Sequence, residues 1–299
     1  MQINQKRFTN TITGCAVFVI CLLSIFASGC STSRLAAGAM VPVLENARDA
    51  ALGSNDYKTF AAAAPSNIFL LEGLIRTDPK NPRLRLTASM LYFSYAFAFV
   101  EEQDEVYASL LYLKGLSHGQ AALTRNKKVR TMWDQPVEKF NEMTKYLKKK
   151  DVPAVVWTAA NWSQFISLHL DSTDVLVDIP RVTALLERAA ELDGGFFEGL
   201  PHIILGSLHA FRPPLMGGSP EKSKHNFERA MELSQNKFLL AHLFYAKFYC
   251  YRVQDADEFK NTLNGILAEP LSILPRYRLL NEIAKQKATH LLGEEDELF

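Results

Sequence analysis

Apolar side chains recur along most of this chain at the three- and four-residue spacing of an amphipathic α-helix. Leu44, Ala47 and Ala51 follow this spacing near the start of the body, and prolines or short polar stretches interrupt the pattern at intervals. β-Branched residues are scattered, and alternating runs flanked by glycine turns are missing. The pattern therefore predicts an all-α fold of stacked antiparallel helix pairs.

The breaks in the pattern divide the body into successive helices. Pro65 is expected to end the first of these, and Ser66 to cap the second. Arg125–Arg130 and Asp171–Asp178 are predicted as loops. The predicted helices, besides the pair within Phe196–Leu233, are Val41–Phe60, Asn67–Arg76, Arg83–Val100, Glu101–Ala122, Pro136–Lys150, Val155–Leu170, Pro180–Leu192, Lys237–Tyr251, Asp255–Ala268 and a capping helix, Pro275–Leu292.

Phe196–Leu233 carries the clearest pattern, two amphipathic helices joined by a rigid loop. Gly206 offers a small surface on the first helix, and Phe227 with Ala230 gives a large-then-small pair on the second. In the loop, Gly217-Gly218 permits backbone angles that other residues avoid. Ser219 can cap the second helix, and Pro220 suits its first position. We expect the two helices to pack closely.

The segment FERAMEL, Phe227–Leu233, resembles the closing segment of a tetratricopeptide repeat, and LLERAAELD, Leu185–Asp193, repeats it. The equivalent positions Leu186, Phe227 and Leu263 are spaced by about 41 and 36 residues, whereas a strict repeat has about 34. Helix pairs of this kind bury their apolar faces only by stacking on neighbours. The sequence predicts a degenerate, tetratricopeptide-like solenoid over residues 41–292, followed by an acidic tail, 293–299.

The N-terminus carries a different pattern. Lys6 and Arg7 precede an apolar run, Ala16–Phe26, that has the length of a signal-peptide core and is short for a membrane span. Ala27-Ser28-Gly29-Cys30 follows and resembles the lipobox of bacterial lipoproteins. That resemblance implies a signal peptide over residues 1–29, acyl chains on Cys30 and a lipidated tether over residues 30–40. An ordinary signal peptide or an uncleaved anchor is the alternative.

Composition excludes several classes of protein. Hydrophobic residues make up 48% of the 299 residues, which argues against disorder, and the net charge of +1 gives no global attraction to nucleic acid. A short basic stretch containing Lys127, Lys128 and Arg130 could still meet anionic lipid or a partner, although a solvated loop also explains it. Cys250 is the one cysteine of the body, so no internal disulfide framework or zinc cluster is expected.

The sequence has no HExxH, Walker, GxGxxG or CxxC pattern. Its GxSxG match, Gly115–Gly119, falls inside the predicted helix Glu101–Ala122, whereas a nucleophile elbow lies between a strand and a helix. His202 and His209 share a helical face but lie two turns apart, too far to hold one metal ion without a further ligand. We expect neither an enzyme nor a metal site. A helical hydrolase that assembles histidine and glutamate residues on folding stays open as an alternative.

Some residues could bind a ligand or partner, because they fall on helices expected to line the concave surface. Arg212 could pair with a carboxylate through its planar guanidinium, and His202 and His209 could lie beside it. A salt bridge to a neighbouring repeat is the alternative. Trp157 and Trp162 could form an apolar channel wall, or simply fill the core.

One family resemblance covers nearly all of the chain after Cys30. It rests mainly on PLMGGSPEKSKHNFERAMEL, Pro214–Leu233, and on IFLLEGLIRTDPKNPRL, Ile68–Leu84. YAFAFVE (Tyr95–Glu101) and LLYLKGL (Leu110–Leu116) support it. These segments resemble the tetratricopeptide-like lipoprotein of TRAP transporters, the T component.

The resemblance implies a periplasmic, lipid-anchored accessory subunit of solute uptake that binds the transporter's substrate-binding protein. It also implies a homotrimer, with a channel or cleft in each protomer that passes or shields a small hydrophobic or carboxylated ligand. No cofactor is implied beyond the acyl chains on Cys30. The alternative function is a scaffold for envelope assembly that binds no ligand.

Overall fold

The computed structural model describes residues 29–299, and within that range every regular element is helical. This confirms the predicted all-α class and the packing in pairs. The predicted signal peptide, residues 1–29, lies outside the described residues except for Gly29. The helices are α1 (Gly29–Ala39), α2 (Val41–Gly53), α3 (Tyr57–Thr77), α4 (Pro82–Tyr95), α5 (Glu105–Leu123), α6 (Lys127–Met132), α7 (Val137–Met143), α8 (Val152–Ser167), α9 (Thr173–Leu176), α10 (Ile179–Asp193), α11 (Leu200–Phe211), α12 (Pro220–Leu233), α13 (Leu239–Phe244), α14 (Ala256–Ala268), α15 (Arg278–Gly293) and α16 (Glu295–Leu298).

The first helices of the body differ from the prediction. The single helix expected over Val41–Phe60 is wrong, because α2 ends at Gly53 and the next residue is extended. Asp56 then caps α3 by accepting a hydrogen bond from the amide of Thr59. The stretch predicted as a tether, 30–40, is also helical, since α1 covers most of it.

Pro65 lies inside α3 and does not end it, so the predicted break and the Ser66 cap are both wrong. Proline removes one helical hydrogen bond, a cost that usually ends a helix. Here the buried stripe of Ala64, Ile68 and Leu71 continues across the proline at helical spacing. Burial of that stripe against the core outweighs the lost hydrogen bond.

Two helices change their winding at their C-terminal ends. α4 continues into a π-helical turn, Ala96–Val100, and α13 continues into another, Tyr245–Cys250, before a last α-turn, Tyr251–Val253. A π-turn inserts one extra residue, which rotates the side chains that follow it, and such turns are frequent at functional sites.

The region between α5 and α10 is more broken than predicted. The helix expected over Pro136–Lys150 ends at Met143 and gives way to two 3₁₀ turns, Thr144–Tyr146 and Lys149–Asp151. Leu147, between these turns, is 1% exposed, so its burial fixes the irregular backbone. The predicted loops contain the short helices α6 and α9, and Asn126 caps α6.

α11 and α12 pack closely around small residues. A β-carbon on Gly206 would lie 2.9 Å from the Phe227 ring, and one on Gly199 would lie 3.0 Å from the backbone of Ala230. Gly199 also has a left-handed backbone, with a φ of 85°. Phe227 and Ala230 are fully buried at this contact. Phe227 therefore packs against Gly206 in α11, and Ala230 packs against Gly199 just before the start of that helix.

The last long helix returns to the first ones and closes the stack of helices into a ring. α15 packs against α2 and contacts α3, although more than 200 residues separate them in the chain. The acidic tail also packs on the body: Phe299 contacts the rings of Tyr251 and Phe259, and Glu295 pairs with Lys260 at 2.8 Å.

Candidate functional site

The inner wall of the ring encloses a row of apolar cavities. The outer cavity, of about 260 Å³, lies between α2, α3 and α4. Leu44, Leu52, Phe60 and Met90 are among its apolar lining residues, and Arg48 also borders it. An apolar cavity of about 150 Å³ can hold benzene, so this one has room for a larger apolar group.

The central cavity is smaller, about 40 Å³, and lies where α4, α8, α13 and α15 converge. Phe97, Trp157, Leu240 and Ile283 contribute to its wall. It shares Leu52, Phe60, Met90 and Ser94 with the outer cavity, so the two adjoin. Its volume holds little more than one or two water molecules, and a ligand could enter only if side chains moved.

The inner cavity, of about 30 Å³, continues the row toward α11. It shares Phe93, Phe97, Leu200 and Leu240 with the central cavity. Ser163, Gln164 and Ser207 place polar side chains on this part of the wall. The three cavities therefore adjoin one after another, from the groove between α2 and α4 to the interior of the ring.

Phe197 occupies an unusual position on the central wall. Its φ of 48° is left-handed, which is uncommon for a bulky residue. This backbone places its ring 5.1 Å from Trp157 and 4.7 Å from Tyr277, between centroids. The turn between α10 and α11 thus supplies an aromatic side chain that a regular helix would not present here.

A buried cluster of charged groups lies beside the inner cavity. Glu101, 6% exposed, follows the first π-turn and accepts hydrogen bonds from Tyr112 and Gln164. Lys247, within the second π-turn, pairs with Glu101 at 3.0 Å. Gln164 belongs both to the cluster and to the inner cavity wall. The charged cluster therefore borders the end of the cavity row.

A second ion pair extends this cluster to the last long helix. Lys287 of α15 pairs with Glu102 at 2.6 Å, and its ammonium lies 4.6 Å from the centre of the Phe97 ring. Burial lowers the pKa of Lys287 in spite of the two nearby carboxylates. For Glu101, burial opposes ionisation, but Lys247 and Lys287 together outweigh it, and its pKa is lowered. The buried carboxyl is therefore charged at neutral pH.

The structure separates the two tryptophans of the sequence prediction. Trp157 lines the central cavity, where it packs against Phe93 and Phe197. Trp162 lies in the hydrophobic core instead, with its ring 5.9 Å from Trp133 and 6.2 Å from Phe140. Only Trp157 is placed to touch the contents of a cavity.

His202, His209 and Arg212 lie where α10, α11 and α12 meet and do not line the row of cavities. His202 contacts Asn226 of α12 at 3.0 Å. Arg212, 7% exposed, donates a hydrogen bond to the hydroxyl of Thr183 at 2.6 Å. His202 and Arg212 therefore connect neighbouring helices.

The Gly-Gly loop beside Arg212 is fixed by backbone geometry. Gly217 has a φ of 86°, and a β-carbon on Gly218 would lie 1.8 Å from the carbonyl oxygen of Arg212. The hydroxyl of Ser219 accepts a hydrogen bond from the amide of Lys222, which caps α12. Cys30 lies in the first turn of α1, and its side chain is outside the described part.

Sequence reasoning missed the charged cluster, although the sequence contains a signal for it. Lys247 stands alone among Phe244, Tyr245 and Phe248, and Glu101 directly follows an apolar aromatic run. A single charge within such a run is buried only when it has a partner. The pattern does not say which partner, because Glu101 and Lys247 are 146 positions apart.

Within residues 29–299, no group of His, Cys, Asp or Glu side chains is arranged to hold a metal ion. None of the helices described is both long and apolar enough to cross a membrane.

Comparison with known proteins gives a family match and a distant relative. A family model described as TRAP transporter T-component matches residues 53–299. An uncharacterized protein from Treponema pallidum (strain Nichols) is 24% identical over an alignment of 315 positions, which covers 95% of this chain and 97% of that protein. The family model therefore spans every helix of the ring from α3 onward, and α2 precedes it.

Proposed function

Because this chain belongs to the TRAP transporter T-component family, and is thus an accessory component of a TRAP transporter, we propose that it is the lipid-anchored periplasmic subunit of that system. It binds the substrate-binding protein and passes or shields a small hydrophobic or carboxylated ligand in its cavity row. Its role is binding, without catalysis, and it acts as a homotrimer.

The apolar cavity row is the observation that supports this ligand. Its outer cavity is large enough for an apolar group, and the smaller cavities continue from it through the ring. Arg48 borders the outer cavity, and Gln164 and Ser207 border the inner one. Polar groups at both ends of an apolar row suit a ligand with an apolar body and a polar end.

Binding of the partner is tested by co-sedimentation. The candidate substrate-binding protein is the one whose gene adjoins that of this chain and of a permease. It is mixed with vesicles that carry the full anchored chain, and the pelleted fraction is measured. Saturable binding in the micromolar range supports the proposal. No binding at high micromolar concentration would contradict it and favour an envelope scaffold.

The cavity row is tested at Ser94, which lines both the outer and the central cavity. Ser94→Phe adds a ring where the two cavities adjoin. We expect substrate uptake by cells to fall at least several-fold, while binding of the substrate-binding protein persists. Ser117→Phe is the matched control, because Ser117 is exposed on α5. Equal uptake by both variants would show that the ligand does not use the row.

The anchor is tested separately at Cys30. We expect Cys30→Ser to abolish incorporation of radiolabelled palmitate into the protein. Incorporation that persists in the variant would exclude Cys30 as the acylated residue.

A further inference from the structure

Positive charge is concentrated in one part of this nearly neutral chain. Residues 125–150 contain nine Lys and Arg residues but three Asp and Glu residues, whereas the whole chain has a net charge of +1. The excess of positive charge in this segment is therefore balanced by negative charge elsewhere. Most of the basic side chains are exposed on α6 and on the two 3₁₀ turns before α8.

Most of these cations lack acidic partners. Lys139 pairs with Glu142, and Lys149 pairs with Asp193. Among residues 29–299, no carboxylate lies within 4.0 Å of the charged nitrogens of the others. We call this unpaired set the basic face: Arg125, Lys127, Lys128, Arg130, Lys145, Lys148 and Lys150.

The two stretches that carry the basic face lie side by side. The ammonium of Lys128 lies 4.2 Å from the centre of the Tyr146 ring, which joins α6 to the first 3₁₀ turn. Arg125 and Lys150 line the same open depression of about 500 Å³, together with Arg83. Asp151, also there, accepts a hydrogen bond from the amide of Lys148. The basic face is therefore one continuous surface.

The helix that contains Cys30, α1, joins the rest of the body at the end of the molecule that carries the basic face. α2 runs parallel to α4, because Glu45 pairs with Arg83 near the start of both helices and Leu52 and Met90 border the outer cavity further along. The junction between α1 and α2 therefore lies at the end where α4 begins, and α1 itself packs against α3. Arg83 also lines the depression of the basic face, so the two features adjoin.

From this placement we propose that the basic face lies against anionic phospholipid headgroups and orients the body on the membrane to which Cys30 attaches it. The proposal rests on the proposed lipid anchor only for the direction of approach. An acyl chain holds the protein near a membrane, and a polybasic surface beside it adds a second attachment. The two together fix which end faces the bilayer.

The composition of the basic face favours lipid over a protein partner. Lysine supplies most of its charge, and lysine is depleted in protein interfaces whereas arginine is enriched. Attraction to an anionic membrane needs no matching shape, since each lysine or arginine near the surface contributes independently. Exposed lysines without partners suit that mode of binding.

The test uses the full chain reconstituted in vesicles of phosphatidylcholine alone or mixed with phosphatidylglycerol. Exposed lysines are acetylated with a water-soluble reagent and quantified by mass spectrometry. We expect Lys127, Lys128 and Lys148 to react several-fold more slowly on the anionic vesicles, and added salt to remove the difference. Lys222 and Lys224, exposed on α12, should react equally on both. Equal rates at the basic face would overturn the proposal.

Charge variants give a second measurement. The double variant Lys127→Gln with Lys128→Gln should associate about 30-fold more weakly with added anionic vesicles, since each lysine contributes about 1 kcal/mol. The double variant Lys222→Gln with Lys224→Gln is the matched control and should change association with these vesicles little. Equal weakening by both pairs would contradict the proposal.

The remaining outcomes separate this proposal from the proposed function. If the chain does not associate with neutral vesicles, the proposed lipid anchor is absent. Weaker binding of the Lys127 and Lys128 double variant to anionic vesicles would still support contact between the basic face and anionic lipid. If the lysines are protected only when the substrate-binding protein is added, the face binds protein, and the lipid proposal is wrong.

Discussion

At the scale of single residues, His209 is a buried base without full hydrogen bonding. It is 7% exposed, and its Nδ1 atom has no partner among the described residues. Burial, helped by the positive charges of Arg212 and Lys222, lowers its pKa to about 4. The imidazole is therefore neutral in the folded protein over most of the acidic range.

This pKa predicts a loss of stability in mild acid. The unfolded chain binds a proton on His209 below pH 6.5, whereas the folded chain binds it only near pH 4, so stability falls as the pH falls through that window. We expect this residue to account for about 2 kcal/mol of the free energy of unfolding lost between about pH 7 and about pH 5. Urea unfolding followed by tryptophan fluorescence measures it.

His209→Leu should make this pH dependence shallower. The exposed His225→Leu is the matched control and should leave it unchanged. Burial also lowers the pKa values of His118, His202 and His242, so a residual dependence of the same sign is expected. Identical slopes for the two variants would show that His209 is already accessible to protons in the folded state.

The sequence predicted which kinds of residue could line a cavity, but it did not predict where those residues lie in space. Trp157 and Trp162 have the same local pattern on one helix, yet only Trp157 lines a cavity. The difference depends on which helices pack on each side of α8. A single sequence does not contain that information, because periodicity defines the buried face but not the neighbour.

At the scale of elements, the contact between α11 and α12 depends on the absence of one methyl group. We expect Gly206→Ala to destabilise the protein by about 1–3 kcal/mol, because its β-carbon would overlap the Phe227 ring. Gly73→Ala is the matched control, since Gly73 is exposed within α3 and a β-carbon there meets no atom within 4 Å.

The control should change stability in the opposite direction. Alanine is favoured over glycine in a helix by up to about 1 kcal/mol, so Gly73→Ala should raise the free energy of unfolding. Thermal unfolding followed by circular dichroism compares the two variants. Destabilisation of similar size at both positions would mean that the close contact at Phe227 is not the cause.

Most helices could be predicted from the sequence, and the errors have physical reasons. Strong stripes such as α10 and α12 were placed to within a few residues, because their apolar and polar faces are clearly separated. Pro65 predicts a break that the structure does not have, since the local cost of proline is large but the burial that offsets it is not local. The 3₁₀ turns after Met143 depend in the same way on the burial of Leu147.

At the scale of the whole molecule, the charged cluster joins the first half of the chain to the last helices of the ring. Glu101 with Lys247, and Glu102 with Lys287, join α4 and its following turn to α13 and α15. These pairs are 146 and 185 positions apart in the chain. Helical periodicity predicted the stack of helices, whereas closure of the stack depends on pairings that no local pattern reveals.

Loss of one partner should weaken this closure. We expect Glu101→Gln to lower the free energy of unfolding by about 3 kcal/mol, because it leaves Lys247 half-buried without a counter-ion. The double variant Glu101→Gln with Lys247→Met should recover part of the loss, since removing both charges is often nearly neutral. Urea unfolding at pH 7 measures each variant.

Glu138→Gln is the control at an exposed glutamate and should change stability by less than about 0.5 kcal/mol. If Glu101→Gln is as mild as this control, the cluster does not hold the ring closed.

Closure of the ring also determines when the cavity row forms while the chain is being translated. Leu279 and Ile283, which complete the central wall, belong to α15 and are made near the end of the chain. Until α15 packs against the body, the other aromatic and aliphatic side chains of the cavity wall are exposed to water. A nascent chain in this state would attract chaperones and neighbouring copies, so an early stop codon before α15 should produce aggregation instead of a smaller working subunit.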